Sequence, residues 1–362
     1  MNRKCLVIGI ILLFAGTCII PAIAQDTEKQ SSRGNWLYVG GNGPGNYSRI
    51  QDAINDSSDG DTVFVYDDSS PYHEFIIINK TISLIGENQD TTIIEGYNDI
   101  KRHIIQINAS DVHLHRFTIK NNMIIWPPDD YKVIQIFSDN NDISENILTD
   151  IADGIEINHA SGNKIHDNII TNGTLYCTAV WIKYGNKNEI FNNTISSIPW
   201  GINIDGELLH HPSKGSGGNK VYKNSITHIQ HTGISISGYN SKFNIIHENY
   251  ISGTEVGISI SWGDFFFVYF NEITNCSYGI GRVNTGFTVI MKNNFMNNSC
   301  NAAFYNKEFL DIWYRNYWDD WNGTGPYKIN GEADGWDPDY PVSAIQYDRH
   351  PARKPYDIPR MC

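Results

Sequence analysis

From Ile104 to Trp318 the hydrophobic residues come in short alternating bursts rather than at helical spacing. One burst is Gly154-Ile155-Glu156-Ile157. Versions of it stand at Ile104–Ile107, Val133–Ile136, Ala179–Ile182, Gly201–Ile204, Gly233–Ile236 and Gly257–Ile260. Alternation of period two predicts a strand with one buried face. A second phrase follows the first: an apolar residue, two positions, Asn, one position, an apolar residue. Its asparagines are Asn146, Asn168, Asn193, Asn224, Asn249, Asn271, Asn293 and Asn316, separated by 22, 25, 31, 25, 22, 22 and 23 residues. An earlier copy, Leu114 to Ile119, carries Phe117 at the Asn position. Short strands, a repeat near 22 residues and no helix between them predict a coil of three strands and three turns. Successive coils stack about 4.8 Å apart as parallel, in-register strands. A leucine-rich repeat would show L-x-x-L-x-L, and a propeller blade needs about 40 residues. The asparagines are then structural. Asn tolerates the left-handed backbone of a sharp corner, and its amide can join a ladder along the axis.

A solenoid needs capped ends. Ser48-Arg49-Ile50-Gln51 has capping-box form ahead of a short helix over Arg49 to Asn55. Thr62–Val65, Phe75–Ile78 and Thr81–Ile85 read as strands. After Trp318 the repeat stops, and a tail with Trp321, Trp336, Tyr340 and Pro341 predicts an irregular C-terminal cap whose aromatics form its core. At the other end, Arg3-Lys4, the apolar run Leu6 to Ile20 and Ala22-Ile23-Ala24 predict a secretory signal. That run has 15 residues, short of the roughly 20 that span a bilayer. The expected organisation is a signal over 1–24, a linker over 25–35, an N-terminal cap with the first coils over 36–101, repeats over 102–318 and a C-terminal cap over 319–362.

The formal charge of −13 becomes −15 once Arg3 and Lys4 are removed. A surface that acidic repels phosphate backbones, which excludes nucleic acid as a partner and disfavours polyuronates. Neutral glycans, cations or basic protein surfaces suit it. A membrane link would need an uncleaved signal, and nothing in the sequence fixes an oligomeric state. Four cysteines lie beyond the signal: Cys177, Cys276, Cys300 and Cys362. Cys276 and Cys300 are 24 residues apart, near one coil repeat, which puts them within disulfide reach in adjacent coils; stacked free thiols are the alternative. Sequons at Asn46, Asn79, Asn172 and Asn322 permit glycosylation outside the cell.

Several phrases together resemble a known family. They are YVGGNGPGNYSRIQDAINDSSDGDTVFVY, KTISLIGENQDTTIIEG, the serial GIxI…NxIxxNxI units and the ending NYWDDWNGTGPY. The chain resembles the NosD-like members of the carbohydrate-binding and sugar-hydrolase (CASH) repeat group, within the pectate-lyase-like superfamily, and is most similar to secreted members common in archaea. The resemblance covers about Trp36 to Tyr327. It implies an all-β fold, a single-stranded right-handed parallel β-helix with a short N-terminal capping helix. It implies little about activity, because the superfamily includes lyases, hydrolases, epimerases and copper-insertion accessories.

Candidate chemistry sits where the repeat is irregular. Insertions fall within Asp205–Gly218, Asn121–Tyr131 and Asn172–Cys177. The first follows its strand and the others precede theirs, so they are expected to flank a groove on the sheet built by the Gly-Ile-x-Ile strands. With the isoleucines inward, the outward columns are Gln106, Gln135, Glu156, Trp181, Asn203, Ser235, Ser259 and Asn108, Phe137, Asn158, Lys183, Asp205, Ser237, Ser261. Glu156, Lys183 and Asp205 fall on three consecutive coils, with Glu207, His210, His211 and Lys214 in the loop above; Lys183 is the one cation expected on the floor. Trp181, Trp126 and Trp200 are candidates to stack on sugars, and Gln135, Asn158, Asn203, His210 and His211 to bind hydroxyls. As a catalytic set, Glu156, Lys183, Asp205 and Glu207 would serve a lyase, hydrolase or epimerase. Yet the backbones of Glu156 and Asp205 are expected about 12 Å apart, against about 5–9.5 Å for paired glycosidase carboxylates, a gap that long side chains or Glu207 would have to close. Calcium on Glu156, Asp205 and Glu207, or copper in a NosD-like accessory, are the cofactor readings; no metal site is assigned. The main reading is a secreted or cell-surface protein that binds carbohydrate in this groove, with a polysaccharide-active enzyme as the alternative.

Overall fold

A computed structural model describes residues 34–96, 103–121, 131–206, 215–306, 311–333 and 342–359. The signal, most of the linker, Trp126, Glu207, His210, His211, Lys214, Trp336, Tyr340, Pro341 and Cys362 lie outside those residues.

Three strands per coil stack into three long sheets of 12, 12 and 11 strands. The first holds the Gly-Ile-x-Ile strands, from Ile76–Ile78 to Cys300–Asn306 and beyond. The second holds the strand before each corner asparagine, such as Glu189–Phe191, and the third the strand after it, such as Thr194–Ile198. Pairing is parallel and in register: Ile157 stands on Ile182, Ile182 on Ile204 and Ile204 on Ile236. These isoleucines are buried to within 1 % and fill the lumen as one file. Each such burial is worth about 1.5–3 kcal/mol, repeated on every coil.

The eight asparagines form the expected ladder. The backbone N–H and the Nδ2 of each donate to the Oδ1 of the next, at 3.0 and 3.0 Å from Asn193 to Asn224 and 2.9 and 2.9 Å from Asn271 to Asn293. The same Nδ2 also reaches two carbonyls, as Asn193 does to Phe191 and Ile165. One detail differs from expectation. The left-handed residue is the one before the asparagine: Asp167 (φ 54°), Asn192 (φ 53°), Lys223 (φ 55°) and Phe270 (φ 54°). The asparagine is held by the ladder, and its predecessor, of almost any type, absorbs the corner's strain.

A second ladder runs five residues upstream, through Asn141, Asn163, Asn188, Asn219 and Asn244. It marks the other end of the second sheet's strand. In later coils the same place holds Phe266, Thr288 and Asp311.

Both ends are closed. The helix spans Ile50–Asp56 with Arg49 at its N-cap, and no capping box forms. Instead the buried Glu74 carboxylate takes the N–H groups of Ile50 and Gln51 at 2.8 and 3.1 Å, so a residue one coil later supplies the cap. The C-terminal cap is more regular than expected. Tyr327–Ala333 adds a parallel strand to the first sheet, and Val342–Asp348 turns back antiparallel to it.

Cys276 and Cys300 are unbonded. The coil there is 22 residues long, so Cys276 aligns with Asn298 and Cys300 aligns with Tyr278. The spacing of 24 leaves the thiols two residues out of register, which corrects the expected pairing.

Candidate ligand-binding groove

The outward columns of the first sheet are as alternation predicts. Gln135, Glu156, Trp181, Asn203 and Ser235 are neighbours in register, as are Asn158, Lys183, Asp205 and Ser237. Alternating strand geometry puts these side chains outside because their isoleucine neighbours face the lumen.

Glu156 sits at the centre, its side chain 4 % exposed. Its Oε1 accepts from Gln135 Nε2 at 2.9 Å and Asn158 Nδ2 at 3.0 Å. Its Oε2 is 3.0 Å from Lys183 Nζ, an ion pair poorly aligned as a hydrogen bond. Lys183 lies over the Trp181 ring, 3.7 Å from its centroid. The Trp181 Nε1–H donates to Asp205 Oδ2 at 2.7 Å, and Ser237 Oγ donates to Asp205 Oδ1 at 2.5 Å. Burial pushes the Asp205 carboxyl up, and those two hydrogen bonds and Lys183 pull it partly back.

Two charged residues of this network escaped the sequence reading. Lys132, almost fully buried, lies 2.6 Å from Asp153 and 3.8 Å from Glu156 Oε2. Lys183 is therefore not the one cation on the floor. Burial raises the Asp153 carboxyl and Lys132 opposes the rise. The signal was available: in-register alignment of Ile134 with Ile155 places Lys132 beside Asp153, immediately before the two strands.

The Trp181 indole is engaged within the protein. One ring face carries Lys183 and its N–H is given to Asp205, so the indole is a wall of the groove. Trp200 packs on His231, with ring centroids 4.6 Å apart. Asn203 stands beside Trp181, and its Oδ1 is buried without a hydrogen-bond partner. Beyond it the floor drops to Ser235, Ser259 and Gly281, and to Ser237 and Ser261 in the next column. The insertion Asn172–Cys177 rises on the upstream side, with Leu175 and Tyr176 71 % and 57 % exposed. An open cleft of about 850 Å³ runs along that corner past Pro199, His231 and Glu255, beside the Glu156 network rather than over it.

The backbones of Glu156 and Asp205 are two strands apart and two residues out of register, about 12 Å by strand geometry. Each is held by protein donors, Glu156 by Gln135 and Asn158 and Asp205 by Trp181 and Ser237. No three His, Cys, Asp or Glu side chains converge as a metal site among the described residues.

Residues 102–236 match the family model described as right handed beta helix region. No curated protein matches the sequence. Among solved structures, the surface adhesin PfbA of Streptococcus pneumoniae aligns with a TM-score of 0.54 at 11% identity, covering 78% of this chain and 84% of that one. XylC in complex with xylose aligns at 0.50 and 11% identity, covering 77% of each chain. A polygalacturonase from Erwinia carotovora ssp. carotovora aligns at 0.49 and 10% identity, covering 80% of this chain and 96% of that one. At such identities the likeness concerns the fold alone, a right-handed parallel β-helix.

Proposed function

We propose that this is an exported β-helix protein that holds a carbohydrate along the outer face of its first sheet without chemical turnover. The observation that carries the reading is the locked polar fan of Gln135, Asn158 and Lys183 on Glu156, bordering a low shelf of Asn203 and serines. With Gln135 buried beneath it, Glu156 fixes the partly exposed Asn158 and Lys183 as donors at little entropic cost on binding, and the shelf leaves room for a chain of pyranose rings at about one ring per coil. Both carboxylates are engaged by protein donors, Glu156 by Gln135 and Asn158 and Asp205 by Trp181 and Ser237, which favours binding over hydrolysis. The leader-like Leu6–Ile20 segment supports export. In other chains this fold serves a surface adhesin and a protein solved with xylose. The NosD-like lineage, with its copper-assembly role, rests on the quoted motifs alone.

A glycan array probed with the full chain, Lys183→Ala and Asn203→Ala tests the proposal. Binding of at least one glycan class, weakened by both substitutions, is the expected result. No binding, or binding indifferent to both, would refute it.

One observation favours a second reading, a polyuronate lyase or epimerase: two lysines converge on Glu156 within 3.8 Å. Lysine can neutralise a uronate carboxylate while a base removes the adjacent proton. Unsaturated ends released from a polyuronate, or inversion at its C5 followed by NMR, abolished in Lys183→Ala, would establish it; neither from any polyuronate would end it.

A further inference from the structure

The second sheet carries two sets of outward aromatic rings, and their geometry differs. His166, Phe191, Tyr222, His247 and Tyr269 form a continuous pile, with centroids 4.5–5.0 Å apart and planes within 8° of parallel. Each inner ring has both faces covered by its neighbours. At the N-terminal end of the same sheet, Trp36–Val39 pairs with Thr62–Val65 and turns Trp36, Tyr38, Phe64 and then Tyr66 outward. These rings are spaced at 5.2–6.2 Å and inclined at 24–80°. Trp36 remains 53 % and Tyr38 38 % exposed.

Tyr38 and Tyr66 also line a cleft of about 640 Å³ with the loop Gly41–Asn46 and with Asp67, Asp68 and Glu87. The loop is built in place. Gly41 has φ 70°, a Cβ there would lie 2.8 Å from the Tyr66 ring, and its N–H donates to Asp68 Oδ1 at 2.9 Å. Each carboxylate has one oxygen fixed by the protein. Asp68 Oδ1 takes Gly41, Asp67 Oδ2 takes the Thr91 hydroxyl at 2.5 Å, and Glu87 Oε2 takes the Asp67 N–H at 3.1 Å. Their second oxygens have no hydrogen-bond partner within the protein among the described residues.

We propose that this cleft is a second carbohydrate site, separate from the first-sheet groove, and that it takes a neutral oligosaccharide. Exposed ring faces receive the C–H face of a pyranose, and oriented carboxylate oxygens accept its hydroxyls. Three carboxylates in one cleft repel uronates, sulfates and phosphates, which selects uncharged sugars. The site needs no contribution from Glu156 or Lys183, so it stands if the groove reading fails.

The test is calorimetric titration of the full chain with neutral gluco-, xylo-, manno- and galacto-oligosaccharides, a uronate oligomer and calcium chloride alone. Trp36→Ala and Tyr38→Ala should each weaken one neutral oligosaccharide at least tenfold, and Asp68→Asn several-fold. Tyr38→Phe should retain binding, which separates loss of the ring from loss of fold. Tyr222→Phe, in the covered pile and outside both sites, should leave this binding unchanged. The proposal is overturned if no neutral oligosaccharide binds, if binding is indifferent to Trp36→Ala and Tyr38→Ala, if the uronate binds as well as the neutral sugars, or if stoichiometric calcium uptake is the sole event.

Discussion

Asp348 closes the corner ladder: its Oδ2 lies 2.8 Å from the backbone nitrogen of Asn316 and 3.2 Å from the indole nitrogen of Trp318. The carboxylate stands where a ninth asparagine amide would be, carried there by the antiparallel strand Val342–Asp348. Asp348→Ala strands these buried donors and should cost about 2–4 kcal/mol in denaturant unfolding. Asp348→Asn keeps an acceptor oxygen and should cost less. Limited proteolysis of Asp348→Ala should begin in the last coils.

Within the ladder the asparagine and its predecessor should respond in opposite ways. Asn193→Ala removes an amide whose two N–H groups are shared among three acceptors and whose oxygen accepts two bonds from Asn168, and about 2–4 kcal/mol of stability should go with it. Asn192, at φ 53°, is the strained position. Asn192→Gly should lie within about 1 kcal/mol of the parent, whereas Asn192→Val should lose about 1–2 kcal/mol from the left-handed backbone. Equal losses at both positions in urea titrations would contradict this division of labour.

The first-sheet network makes a graded prediction. Glu156→Gln removes one of the two carboxylates beside the buried Lys132 and the carboxylate paired with Lys183, and should cost about 2–3 kcal/mol. Lys183→Met removes a side chain 27 % exposed and should cost about 1 kcal/mol or less. Thermal unfolding of the two variants checks the order.

His166 gives a pH dependence. The Asp142 carboxylate on its Nε2, at 3.0 Å, raises the imidazole against the opposing effect of burial, and Asp167 on Nδ1 adds to the rise. A histidine raised in the folded state contributes stability that is fully present below its unfolded pKa of about 6.5 and is lost as pH rises through the folded value. Asp142→Asn should move the His166 titration, followed by NMR, downward and flatten that slope. An unchanged titration would show that the pair is not formed.

Much of the fold was legible because one lap of the chain repeats closely enough for its parts to be counted. Equal spacing of Asn146 and Asn168, or of Asn249 and Asn271, maps directly onto in-register stacking. Where the count was off by two, as for Cys276 and Cys300, the inferred contact failed. The second ladder was missed because its asparagines are replaced by Phe266, Thr288 and Asp311 in the later coils. In the groove, alternation placed Glu156, Lys183 and Asp205 correctly but could not say how long side chains lie. Lys183 could have pointed into solvent; it folds back over Trp181 instead, where a π face and a carboxylate hold the ammonium. Lys132 and Asp153 precede the alternating segment, so a rule that begins with the strand passes over them. Helix capping was misplaced for a related reason: the acceptor, Glu74, is local in the stack but distant along the chain.

Carbohydrate on the first-sheet face, as proposed, would be visible in a crystal. A crystal structure of the full chain grown with the oligosaccharide that binds most tightly on the array tests it most directly. The claim predicts sugar rings running along the axis beside Asn158, Lys183 and Asn203, above Ser235 and Ser259. An occupied second or third sheet with the first sheet bare would contradict it.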